Sequence, residues 1–138
     1  MSAMFFPAMI DPIVSLMFRA GWIGMMCGVL SGALIGLFFH RDDWMGGYNS
    51  YRRRLTRLGH ISFFGLGFIN FFFAITHHVM HLEPAWAQRA ALAFIIGAVS
   101  MPAVCFLTAW RKPLRFFFPI PVVSAACGII FTLTGWPR

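Results

Sequence analysis

Hydrophobic residues along this chain come in long runs, with little alternation between apolar and polar positions. Four stretches, at about 20–39, 58–80, 88–110 and 115–136, are nearly unbroken in apolar side chains, and short polar segments separate them. A run of this length with no recurring polar face predicts a helix whose whole circumference meets an apolar medium. The clearest is Leu58–Met80. At ~1.5 Å rise per residue it is ~34 Å long, against about 30 Å of bilayer hydrocarbon. The predicted fold class is an all-α integral membrane protein: one four-helix transmembrane bundle with short loops, residues 1–138 forming a single unit. Residues 1–10 are apolar but interrupted by Pro7, and are expected to lie along the membrane surface as an interfacial segment.

Local signals place the helix ends. Asp11-Pro12 is a helix start, because the carboxylate can cap free amides and proline suits the first helical position. From there the first helix is expected to reach Phe39. Gly46-Gly47 marks a turn in the polar segment His40–Arg57, where Trp44, Tyr48 and Tyr51 are the aromatics of a headgroup boundary. Glu83-Pro84 lies in the next turn. Pro102 falls inside the third run, where it frees a carbonyl and favours a kink. Arg111-Lys112-Pro113 ends that run, and Pro119 and Pro121 stand near the start of the fourth. In the first run Gly24, Gly28, Gly32 and Gly36 recur every fourth residue. That spacing clears one helix face and predicts a close antiparallel hairpin with the second helix along it.

Composition sharpens the class. The 138 residues are 59% hydrophobic and 11% charged, with a mean hydropathy of +0.76. Soluble domains carry about 25% charged residues, so this chain could not cover a water-facing surface. The net charge of +7 would point to nucleic acid in a soluble protein. Here the cations flank apolar runs, which excludes that reading and instead predicts orientation. Arg41, Arg52, Arg53, Arg54 and Arg57 lie in the first loop and Arg111, Lys112 and Arg115 in the third. Only Arg19, Arg89 and Arg138 stand elsewhere. The positive-inside rule then puts both termini outside, with a multi-pass chain in the bacterial inner membrane as the expected location. The first residues lack a basic n-region and a small-residue cleavage site, so no signal cleavage is expected.

Chemistry-bearing residues are few. Cys27, Cys105 and Cys127 sit inside apolar runs with no C-x-x-C or C-x-x-C-H spacing, so they are expected to be packing residues. His60 and His78 share one face of the second helix, with Phe64, Gly67, Phe71 and Ala74 near the same line. A histidine near each end with a glycine between them resembles the haem-holding helices of membrane b-type cytochromes. Their separation is ~27 Å at ~1.5 Å per residue, wider than the two-haem step of that family. The better axial pair is therefore His40 with His60, on facing ends of the hairpin. Gly67 would admit a ring edge, and Arg57 or its neighbours would pair with propionates. His77, His78 and His81 with Glu83 form a second candidate group. His77 and His81 are one turn apart and suited to sharing zinc, copper or iron. Asn70 is the only amide deep in a run and should seek a partner on another helix. No serine or threonine stands beside a base, and no Asp, Glu, Lys or Arg falls at mid-depth. This argues against a hydrolase and against an ion pump or proton-coupled transporter.

Two functions fit these features. One is a small subunit of a bacterial electron-transfer complex, touching haem b or quinone through His60. The other is a cofactor-free structural or assembly subunit, whose glycines and phenylalanines are helix–helix interface. Both imply other membrane subunits and lipid as partners.

Overall fold

The computed structural model describes residues 11–137, so the expected interfacial segment at 1–10 lies outside the described residues. Four long helices follow one another: α1 (Pro12–Leu37), α2 (Tyr51–Met80), α3 (Pro84–Trp110) and α4 (Pro119–Thr134). Short 3-10 segments stand at Trp44–Gly46 and Lys112–Phe117. Four segments, the last running from Lys112 to Thr134, are long and apolar enough to cross a membrane. No strand occurs among the described residues.

The caps explain where the helices start. Asp11 caps α1 as expected, its Oδ1 accepting from the amides of Ile13 at 2.7 Å and Val14 at 3.4 Å. Ser50 caps α2 by accepting from the Arg53 amide at 3.2 Å. That cap makes the arginine run helical, so α2 begins at Tyr51, a full two turns before the apolar run. Pro84 sits at the first position of α3, which leaves only His81–Glu83 as a turn. At Pro119 the chain restarts as α4, since proline cannot donate the amide that would join it to the preceding 3-10 turn. The fourth helix is thereby only 16 residues long, roughly 24 Å.

The arrangement corrects one expectation: the four helices do not close into a bundle. Contacts run from α1 to α2, from α2 to α3 and from α3 to α4. α1 touches α3 along an edge only, and α4 leans on α3 without a substantial contact to α1 or α2. Each next-but-one pair is therefore separated by a groove. Between α1 and α3 lies a space of about 420 Å³ lined by Ala20, Gly24, Cys27, Phe63, Ala98 and Pro102 among others. Between α2 and α4 lies one of about 430 Å³, lined by Ile61, Gly65, Leu66, Met101, Pro121 and Ala125 among others. α3 runs through Pro102 unbroken.

Aromatic rings set into glycine hollows hold neighbouring helices together. A Cβ at Gly21 would lie 2.9 Å from the Phe71 ring, one at Gly28 2.6 Å from Phe64, and one at Gly32 2.6 Å from His60. These pairs fall on a single antiparallel register. The same device joins α2 to α3 at Gly59 against Phe106, and α3 to α4 at Gly128 against Phe94. The glycine stripe thus packs the hairpin as expected, except that Gly36 has nothing within 4 Å and Gly21 takes part in its place. A compact apolar core gathers at the other end of the hairpin, where Val14, Met17, Phe73, Ala74, Ala90 and Phe94 meet.

Candidate functional site

His60 is the sequence's leading site residue, and its surroundings are fully specified. Its Nδ1 lies 3.1 Å from the Ser31 hydroxyl of α1. The same hydroxyl lies 3.0 Å from the Gly28 carbonyl, to which it can donate; with the imidazole proton on Nδ1, His60 donates to Ser31, and in the other tautomer it accepts. From a Cβ built on Gly32, Cε1 of His60 is 2.6 Å away, Nε2 3.2 Å and Nδ1 3.3 Å. The ring edge that carries both nitrogens therefore faces the backbone of α1. Phe64 closes the side, edge-on, with ring centroids 5.6 Å apart.

The proposed partner does not meet it. His40 lies three residues beyond the last residue of α1, outside the helix whose register the glycines set. His40 is exposed in the turn after α1. Gly67, expected to admit a cofactor edge, instead marks the closest approach of two backbones. A Cβ there would lie 3.2 Å from the Gly21 carbonyl, and one at Gly21 would lie 3.1 Å from the Gly67 carbonyl. Arg57 turns to the loop, donating to the Tyr48 carbonyl at 3.3 Å and stacking 4.5 Å from the Tyr48 ring.

The outer histidines also separate. His77 is buried, 7% exposed, and its Nε2 lies 3.6 Å from the Asp11 carboxylate, joining the end of α2 to the start of α1. Its ring stacks on Phe73. His78 is exposed on the other side of the helix. His81 ends α2 in the left-handed region, with φ 51°, and its amide donates to the His77 carbonyl at 3.0 Å. Glu83 is exposed before α3, its amide donating to the Gly135 carbonyl at 3.0 Å. Among the described residues, no three His, Cys, Asp or Glu side chains converge in a way that could hold a metal ion.

Some features were not legible in the residue pattern. Arg53 is 3% exposed, its guanidinium caged by Phe39 at 5.3 Å, Tyr48 at 5.4 Å and Trp44 at 5.6 Å, with Nε left without a hydrogen-bond partner. Such a cage replaces carboxylate pairing with ring quadrupoles. The signal available was the alternation of Trp44, Tyr48 and Arg53 around the Gly46-Gly47 turn. Asn70, 1% exposed, has no partner for either amide atom, and the Thr108 hydroxyl is likewise unpaired. Compared with protein-family models, with curated proteins and with solved structures, the chain finds no significant match.

Proposed function

We propose that this chain is a cofactor-free, multi-pass assembly subunit of the bacterial inner membrane, joining a larger complex by accepting partner helices into its grooves. The observation that carries this reading is Gly65. Along the packed lengths of α1, α2, α3 and α4, the other helical glycines from Gly21 to Gly128, Gly36 apart, have neighbours of this chain against them. Among the described residues, a Cβ at Gly65 meets nothing within 4 Å, and Gly65 lines the groove between α2 and α4. Small residues that open a helix surface in this way suit close approach by another helix. The basic loops argue for a cytoplasmic face at that end, with both termini outside.

Gly65→Leu tests the assignment, since it fills the groove without touching this chain's own packing. The variant should melt no lower than the parent in detergent but leave the large assembly on native electrophoresis of solubilised membranes. Retention in a complex of unchanged size would refute the reading. The electron-transfer reading, with haem b or quinone at His60, has less geometric support because both imidazole nitrogens face α1. A b-type redox difference band lost in His60→Ala but kept in His78→Ala would reverse that preference.

A further inference from the structure

Eight cations cluster at the basic end of the helices: Arg41, Arg52, Arg53, Arg54, Arg57, Arg111, Lys112 and Arg115. Asp42 and Asp43 are the acids nearby in sequence. Among the described residues no carboxylate lies within ion-pair distance of any of these eight; the single pair is His77 with Asp11, at the opposite end. Aromatic rings orient five of them, Arg52, Arg53, Arg57, Lys112 and Arg115. Arg52 lies 5.5 Å over the Trp110 ring, and Lys112 Nζ lies 5.9 Å over the Tyr51 ring. Ring faces hold a cation in place without cancelling its charge.

Arg52 and Lys112 both line a cleft of about 520 Å³, together with Met45, Gly46, Tyr51 and Trp110 among others. Its volume is that of an ordinary small-ligand site. The grooves between the helices are almost wholly apolar, whereas this cleft combines two cations with Ala109, Met45 and the Trp110 ring. The first turn of α2 adds to the positive field. The Arg53 amide is taken by Ser50, while Tyr51 and Arg52 precede any intrahelical acceptor for their own amides.

We infer that this cleft binds the phosphate of an anionic phospholipid headgroup, with Arg52 and Lys112 as its two cationic contacts. The inference rests on the membrane reading of the four helices. A lipid is favoured over free phosphate because the cleft opens where α3 ends in an apolar exposed face. Trp110 is 64% exposed and Leu107, one turn back, 54%, so acyl chains can continue from the headgroup along α3.

The experiment uses the full chain in nanodiscs of phosphatidylcholine doped with phosphatidylglycerol, with retained lipid counted by native mass spectrometry after release into detergent. Incorporation into pure phosphatidylcholine discs reports membrane embedding independently of any headgroup preference. At about a fivefold effect per cation near an anionic headgroup, Arg52→Gln with Lys112→Gln should weaken phosphatidylglycerol retention roughly 20-fold. Arg111→Gln, an exposed cation outside the cleft, should leave it within about twofold, and Arg52→Lys should restore most of the loss of Arg52→Gln. The side chains at all three positions are exposed, so the fold should survive. Equal retention by the double variant and the parent would overturn the site. Inorganic phosphate displacing the lipid at equal concentration would assign the cleft to a soluble anion and overturn the lipid assignment.

Discussion

The backbone crossing at Gly21 and Gly67 makes the strongest prediction about stability. A Cβ at Gly67 would lie 3.2 Å from the Gly21 carbonyl oxygen and 3.4 Å from Cγ of Met25. The nearer atom is backbone in mid-helix, so it cannot swing aside as a ring can. Leucine at 67 places a branched side chain beyond that Cβ and must push α1 and α2 apart. A carbon pair at contact gives about 0.1–0.2 kcal/mol, and a gap of 0.5–1 Å forfeits roughly a quarter to a half of it. Over roughly 50 pairs around the crossing, the number one buried leucine makes, the loss is about 2–4 kcal/mol. Gly65→Leu is the control. It sits two residues away on the same helix with nothing within 4 Å, and carries the same gain in helix propensity, about 0.8 kcal/mol. SDS-induced unfolding in mixed micelles, followed by circular dichroism, should separate the two variants by that margin. Equal unfolding midpoints would refute the reading that α1 and α2 cross at Gly67.

Two further outcomes follow from the buried polar groups. Ser31→Ala and His60→Phe, combined in a double-mutant cycle, should show a coupling of about 0.6 kcal/mol, the usual size for a hydrogen bond between membrane helices; zero coupling would mean that the bond contributes nothing. Asn70→Leu should leave the isolated chain as stable as the parent or about 1 kcal/mol more so, since neither amide atom has a partner among the described residues. A loss of more than 1 kcal/mol would show that the amide is satisfied by bound water.

Much of the architecture was written in the residue order. Long apolar runs predict helices long enough to cross a membrane, Asp11 caps because its carboxylate precedes Pro12, and a glycine every fourth residue clears a face whatever lies opposite. Helix number, approximate limits and the hairpin between α1 and α2 follow from these local rules. What fills the cleared face did not follow. Gly24, Gly28 and Gly32 could have received a flat cofactor or another side chain, and the choice depended on the register between two helices. Register is a property of the pair: it set Phe64 and His60 into the hollows of Gly28 and Gly32. His40, beyond the last residue of α1, was left exposed in the turn.

Likewise, periodicity shows that a helix is apolar all round but is blind to which neighbour covers which side. Nothing local distinguishes Gly67, pressed against a carbonyl, from Gly65, open to a groove. The open arrangement of α1 to α4 decides that difference, and with it which glycine packs the fold and which faces a groove. The arginines followed the same division. Their clustering was visible in the sequence, but whether each charge is caged by rings, as Arg53 is, or faces a cleft, as Arg52 and Lys112 do, was decided only when the Gly46-Gly47 turn folded back on α2 and the end of α3 came alongside. Charge and hydrophobicity belong to residues, whereas pairing and vacancy belong to surfaces that only the folded chain brings together.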